Sequence, residues 1–115
     1  MKLTHFINGN ITDSYADISN EEKEIEKKYK FFLDNILNYI YITDRLIFIR
    51  ETDDYKFELL ISDNPTCSLL LKKENKEFNI NVLSSSYQVG NGYIDFNYIL
   101  DTDKDEHHII LEIGE

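Results

Sequence analysis

The sequence predicts an α+β fold, mainly antiparallel β, in which a meander of about six strands curls around or packs against one N-terminal helix. Three observations predict it: apolar and polar residues alternate from residue 39 onward, short polar turns separate the alternating stretches, and helical spacing covers residues 20–38. Alternation with a period of two buries one face of a sheet, and short turns make successive strands neighbours in space. The 115 residues fit a single domain spanning 1–115.

The N-terminal third contains the predicted helix. Residues 2–8 predict a first strand, and residues 9–19 are polar and turn-like. Residues 19–22 (SNEE) match a capping box, which marks the start of a helix. Apolar residues then follow at helical spacing: Ile25, Tyr29, Phe32, Leu33, Ile36 and Ile40. The segment therefore predicts a helix over about 20–38.

The same segment allows a second interpretation. Aromatic residues and isoleucine favour strands, so Phe31–Leu33 and Ile36–Ile42 also suit a hairpin with Asp34-Asn35 as its turn. In that case the fold would be all-β, and the sheet would close on itself as a small calycin-like barrel.

The strand signal is clear after residue 39. Predicted strands cover 39–42, 45–51, 55–62, 66–73, 78–82, 94–100 and 109–113. Thr52-Asp53-Asp54 and Asp63-Asn64-Pro65 are predicted turns, and 101–106 is an acidic turn. Ser84–Gly92 is predicted to be a polar connection.

The order of elements over residues 39–113 resembles a known family. The stretches that carry the resemblance are YIYITDRLIFIRE, YKFELLIS, NGYIDFNYIL and, after an acidic turn, HHIILEI. They are similar in strand rhythm to the YwiB-like barrels of low-GC bacteria, whose fold is a lipocalin-like, calycin-type β-barrel and whose function is uncharacterised. The resemblance implies a β-barrel that binds a small apolar ligand, and it supplies no catalytic residues.

Charge decides which partners the sequence permits. Asp and Glu number 22 against 12 Lys and Arg, which gives a net charge of −10. Such a chain repels phosphate backbones and anionic lipids, so we expect neither nucleic-acid nor membrane binding. We expect instead a non-catalytic protein that docks on and blocks a basic surface of a protein partner, as immunity proteins and phage-encoded inhibitors of host defence do. The predicted contact residues are Glu21, Glu24, Asp53, Asp54, Tyr93, Asp101, Asp103 and Asp105.

The single cysteine and the absence of an apolar leader point to the cytoplasm. Cys67 cannot form an internal disulfide, and its place on an apolar strand face predicts a buried, inert thiol. Residues 1–12 contain no apolar run typical of a signal peptide, and no stretch approaches the ~18 apolar residues that a membrane span requires.

The acidic turn is the sharpest local pattern. Its carboxylates at alternate positions resemble a calcium loop, but Glu106 stands where that loop requires glycine, and the flanks predict strands. Adjacent residues on a strand face opposite ways, so His107 and His108 are not expected to share an ion. His5 is expected in packing or at the surface.

We therefore predict no metal, no cofactor and no enzymatic activity. A catalytic function would require His5 or His107 in a cleft beside carboxylates.

Overall fold

The computed structural model describes residues 1–16 and 28–113 of the chain, and this part is all-β. Its strands are β1 (Lys2–Ile7), β2 (Asn10–Tyr15), β3 (Lys28–Leu33), β4 (Ile36–Ile42), β5 (Leu46–Glu51), β6 (Tyr55–Ile61), β7 (Thr66–Leu71), β8 (Lys76–Ile80), β9 (Val82–Gly90), β10 (Tyr93–Leu100) and β11 (Glu106–Glu112). Over these residues there is no helix, and so none that could cross a membrane.

The strands form two antiparallel sheets in two compact units. One unit comprises Met1–Ser19 and Val82–Glu115, and it holds a five-stranded sheet in the order β2-β1-β11-β10-β9. The other comprises Asn20–Asn81, and it holds a six-stranded sheet in the order β3-β4-β5-β6-β7-β8. The prediction that residues 1–115 form one domain stays a prediction.

The five-stranded sheet joins the first strand of the chain to the last. β11 lies at its centre, with β1 on one side and β10 on the other. Leu3 pairs with Leu111, and Ile109 pairs with both His5 and Phe96, so these side chains share one face. That face is buried; Phe96, Ile109 and Leu111 have no exposed surface. The expected strands over 2–8, 94–100 and 109–113 are confirmed within a few residues.

The six-stranded sheet is an uninterrupted meander. Alternate residues such as Leu46 and Phe48, or Leu59 and Ile61, are buried, as the period-two pattern predicted. Cys67 is buried on β7, and this burial raises the pKa of its thiol to about 11. The thiol is therefore protonated at neutral pH, in agreement with the inert role predicted for it.

The prediction of an α+β fold with a helix over 20–38 is wrong. Residues 28–33 and 36–42 form the antiparallel hairpin β3–β4, and Asp34 and Asn35 form its turn with φ of 49° and 67°. This is the hairpin that the alternative interpretation described, and its all-β class agrees with the structure. The physical reason lies in the left-handed turn: Asp and Asn tolerate positive φ, which a helix interior excludes. Residues 17–27, with the predicted capping box, lie outside the described residues.

Two other segments predicted as irregular are strands. The polar stretch 84–92 was expected to be a connection, but β9 runs through it and pairs with β10. Similarly, β2 occupies most of the turn-like stretch 9–19. Both are edge strands. β2 is exposed along most of its length, and β9 has both exposed and half-buried positions, so polar side chains reach water while the backbone completes the sheet.

Candidate functional site

A groove of about 380 Å³ lies at one end of the six-stranded sheet. The turns of the β3–β4 and β5–β6 hairpins border it, because alternate turns of a meander fall at the same end. Phe32, 58% exposed, lies in its wall, and Asp34, Asp53 and Asp54 lie around it. We call this feature the acidic groove; Asn35, Ile36, Leu37, Glu51, Thr52 and Lys72 complete its lining.

The backbone of the β5–β6 turn is fixed by local hydrogen bonds. The hydroxyl of Thr52 accepts hydrogen bonds from the N–H groups of Asp54 and Tyr55, at 3.1 and 3.2 Å. The N–H of Lys72 donates to the carbonyl of Asp54 at 2.9 Å, which links this turn to the β7–β8 turn. The carboxylates of the turn are therefore carried on an ordered backbone.

Two lysines partly neutralise the acidic groove. Lys72 Nζ lies 2.6 Å from Glu51 Oε2, and both side chains are about one-third exposed. The hydrogen bond from Lys72 holds the pKa of Glu51 below its ordinary value, outweighing the rise caused by partial burial. Lys73 Nζ lies 3.2 Å from Asp54 Oδ1, but this pair is largely exposed to solvent. Exposed pairs of this kind exchange readily with other ions.

A second constellation lies in the five-stranded sheet, where the β10–β11 turn meets the end of β1. His107 Nε2 lies 2.8 Å from Asp103 Oδ2, and His107 Nδ1 lies 3.1 Å from His5 Nε2. The ring of Tyr98 stacks on His107 with centroids 4.7 Å apart and planes inclined by 7°. Asn8 donates from Nδ2 to Asp105 Oδ1 at 3.0 Å. We call these six residues, His5, Asn8, Tyr98, Asp103, Asp105 and His107, the histidine–aspartate cluster.

The sheet register explains why these distant residues meet. Ile7 and Tyr98 both pair with His107, and His5 is two residues from Ile7, so His5, Tyr98 and His107 share the buried face. His108 faces the other way: its Nε2 lies 2.6 Å from Asp95, and its ring stacks with Phe6. The two adjacent histidines therefore face opposite sides of the sheet, as expected for neighbours on a strand.

The carboxylate of Asp103 is held in its ionised form. Desolvation raises the pKa of this group, but the hydrogen bonds from His107 and from the N–H of Asp105 outweigh that effect and lower it. Because a carboxylate only accepts hydrogen bonds, His107 carries a proton on Nε2. In the neutral imidazole, Nδ1 is then the acceptor and His5 Nε2 the donor.

The predicted contact residues separate into distinct places. Asp53 and Asp54 lie at the acidic groove, Asp103 and Asp105 belong to the histidine–aspartate cluster, and Asp101 is exposed in the same turn. Glu21 and Glu24 lie outside the described residues.

Tyr93 lies apart from the acidic turn of its own unit. It is at the opposite end of β10, about 23 Å away at ~3.3 Å per residue. Its ring packs directly over Gly90, where a Cβ atom would lie 2.0 Å from Tyr93 Cε1. Tyr93 therefore packs against β9, and it does not extend the acidic turn.

Sequence reasoning missed several residues of these sites, among them Phe32, Asp34, His5 and Asn8. Phe32 and Asp34 were assigned to the predicted helix, and no pattern linked them to Asp53. His5 was expected in packing or at the surface and was otherwise named only as a group that catalysis would require. Its partner His107 is 102 positions away in the sequence. Asn8 was assigned only to a turn. The one available signal was the Asn8-Gly9 pair, which places the end of β1 at a hairpin.

No protein-family model, no curated protein and no solved structure matches the chain. The resemblance to the YwiB-like barrels and the absence of enzymatic activity stay predictions.

Proposed function

We propose that the chain is a non-catalytic acidic binding protein that docks on a basic surface of a protein partner and blocks it. The observation that supports the proposal is the acidic groove, where an exposed aromatic ring lies among carboxylates. The ring lies in a concave site of about 380 Å³, and concave sites with a few converging polar groups are the usual places for binding. A cytoplasmic location belongs to the same proposal, since the fold contains no disulfide in its described part.

The groove suits an arginine or lysine side chain. The apolar stem of either residue would pack on Phe32, and the cationic head would reach Asp34 and Asp53. Arginine fits better, because its planar guanidinium stacks on rings and binds carboxylates in a bidentate manner. The partner residue would also compete with Lys73 for Asp54, whose exposed pair is weak.

The net charge of −10 supports the same role at longer range. A strongly negative chain accelerates encounter with a basic surface, and salt weakens that steering. The alternative of a carrier for an apolar ligand has less support. The groove is large enough for a small molecule, but its carboxylates favour a cation over an apolar ligand.

The test uses a labelled nona-arginine peptide and matched variants. We expect Asp53→Asn to weaken binding about fivefold, which corresponds to loss of one partly exposed charge contact. Asp63→Asn is the control, because Asp63 is an exposed turn residue at the opposite end of the same sheet and the charge change is identical. Phe32→Ala and Phe78→Ala form a second pair, since both rings are exposed on edge strands of this sheet.

The proposal predicts that the groove variants lose affinity, that the controls do not, and that raising the salt concentration weakens every complex. If Asp53→Asn and Asp63→Asn weakened binding equally, net charge alone would explain the peptide affinity. That result would contradict the assignment of the acidic groove as the binding site. A nona-glutamate peptide that bound equally well would exclude the whole proposal.

A further inference from the structure

The geometry points to a divalent transition-metal site, best suited to Zn²⁺, formed by Asp103, Asp105 and His107. One donor atom from each residue lies within 4.8 Å of the others. The three residues come from one turn and the first residues of β11, so a single hairpin supplies the whole ligand set. The site belongs to the five-stranded sheet and does not depend on the docking function.

The donor set selects the kind of ion. An imidazole nitrogen with two carboxylates suits Zn²⁺ and its neighbours in the first transition series. Calcium takes six to eight oxygen ligands and does not use imidazole, so the turn that resembles a calcium loop has the wrong chemistry for calcium. Two carboxylates and a neutral imidazole carry a charge of −2, which a divalent ion neutralises.

The distance between Asp103 and His107 needs only a small adjustment, and the donor atom of Asp105 lies within 4.8 Å of both. Zinc bonds of about 2.0–2.2 Å place tetrahedral ligand atoms roughly 3.3 Å apart. Asp103 Oδ2 and His107 Nε2 are already 2.8 Å apart in the ion-free hydrogen bond. The ion would replace the proton on Nε2, and these two atoms would separate by only a few tenths of an ångström.

Residues outside the ligand set orient each ligand. His5 Nε2 lies 3.1 Å from the second nitrogen of His107, and Tyr98 stacks on the same ring. Asn8 binds one oxygen of Asp105, and the N–H of Asp105 binds one oxygen of Asp103, so each carboxylate keeps its other oxygen for the ion. Ligating histidines and carboxylates typically have such partners, which fix the direction of their donor atoms.

His5 is therefore a positioning residue. When Nε2 of His107 binds the ion, its Nδ1 carries the proton and donates to His5 Nε2. His5 is nearly inaccessible to solvent, and its packing with the apolar face of the sheet restricts its ring. The ion would tie the β10–β11 turn to the start of β11, while Asn8 and His5 connect this hairpin to β1.

The experiment titrates the metal-free, untagged chain with Co²⁺ and then with Zn²⁺. We expect visible absorption bands typical of a protein-bound Co²⁺ ion, saturating at one ion per chain, and loss of these bands as Zn²⁺ displaces Co²⁺. His107→Gln and Asp103→Asn should weaken binding at least tenfold, and His5→Gln should weaken it about tenfold to a hundredfold while leaving the ligands in place.

Two matched controls separate this site from chance binding. His108→Gln changes the neighbouring histidine, which faces Asp95, and Asp101→Asn removes a carboxylate from the same turn. Both should bind Co²⁺ as the unaltered chain does. Backbone amide spectra of each variant verify the fold, and Asp103→Asn, at a turn residue more exposed than His107, serves if His107→Gln does not fold. Absence of bands at millimolar Co²⁺, or equal losses in His107→Gln and His108→Gln, would overturn the site.

Discussion

The two acidic turns of this protein look alike in sequence and differ in chemistry. In the β5–β6 turn, Asp53 and Asp54 are exposed, and Asp54 pairs with the exposed Lys73. In the β10–β11 turn, Asp103 is held by His107 of the same hairpin, and Asp105 is held by Asn8 at the end of the adjacent strand β1. The comparison teaches that the adjacent strand, rather than the number of acidic residues, decides what a turn can bind.

The difference follows from sheet order. β1 lies next to β11, so the end of β1 places Asn8 and His5 beside the β10–β11 turn. The β5–β6 turn instead lies near the β7–β8 turn, which supplies Lys72 and Lys73. The carboxylates of one turn are therefore held by directional hydrogen bonds, and those of the other by lysines, of which the exposed Lys73 can be displaced by a partner.

The largest expected effect comes from Asn8→Ala, which cuts the bonds that distinguish the β10–β11 turn. Asn8 binds Asp105 and the N–H of Glu106, and its φ is 52°. We expect a loss of about 2 kcal/mol in the free energy of unfolding, from two hydrogen bonds and left-handed strain.

Asn75→Ala is the control for that variant. Asn75 has φ of 50° in the β7–β8 turn, so its substitution by alanine carries the conformational cost without the bonds to Asp105 and Glu106. Urea denaturation of both variants gives the difference. If the two lost equal stability, the cross-links of the β10–β11 turn would have no energetic role.

Thr52→Ala tests the order of the β5–β6 turn. Removing the hydroxyl leaves the N–H groups of Asp54 and Tyr55 without this acceptor, so we expect a loss of about 1 kcal/mol and weaker peptide binding. Thr52→Ser keeps the hydroxyl and should restore both properties. A Thr52→Ala variant with unchanged stability and peptide affinity would show that the groove does not require this turn.

Glu51→Gln tests how the stability contributed by the Glu51–Lys72 ion pair depends on pH. The pKa of Glu51 is lower in the folded chain than its ordinary value of 4.5, so its ion pair stabilises the fold above pH 4.5. This contribution disappears as the pH falls through the lowered pKa. We expect Glu51→Gln to cost less than about 1 kcal/mol at pH 7, because the pair is one-third exposed, and nothing at low pH.

Urea denaturation of this variant and of the unaltered chain measures the effect between about pH 2 and pH 7, a range that spans the ordinary pKa of a carboxyl group. Glu74→Gln, an exposed residue of the β7–β8 turn, is the control. A stability difference that grew on acidification would contradict the direction assigned to the pKa of Glu51.

Lys73→Ala should have the smallest effect on stability. Its pair with Asp54 is exposed, so we expect the free energy of unfolding to change by less than about 0.5 kcal/mol. Removing this lysine should nevertheless increase affinity for the arginine peptide, because Asp54 then lacks its competing cation. Thermal denaturation and peptide titration measure the two effects, and a fall in affinity would contradict the role given to Asp54.

The sequence predicted the strands well where alternation was strict. From Leu46 to Ile61 both the strand positions and the buried face follow the period-two pattern. The β3–β4 hairpin was missed as first choice because spacings of four, such as Ile36 to Ile40, satisfy both a helix and one face of a strand. The buried residue between them, Asn38, is polar and accepts a hydrogen bond from Arg50, so it concealed the strand alternation.

The candidate sites were less predictable because they depend on pairing over long range. His5 meets His107 only because β1 joins β11, and Phe32 approaches Asp53 only because β3 and β5 run in the same direction two strands apart. Neither of these strand arrangements produces a local pattern in the sequence. Phe32 is exposed although Phe31 and Leu33 beside it are not, and an apolar triplet gives no sign of which member faces water.

The most direct test of the account is a ¹⁵N–¹H spectrum recorded while the unlabelled nona-arginine peptide is added to the ¹⁵N-labelled chain. The account predicts that the largest shifts lie in residues 32–37 and 51–54, around the acidic groove, and that residues 103–107 move little because their carboxylates are already engaged. Shifts concentrated in 103–107, or spread evenly over all acidic turns, would contradict it.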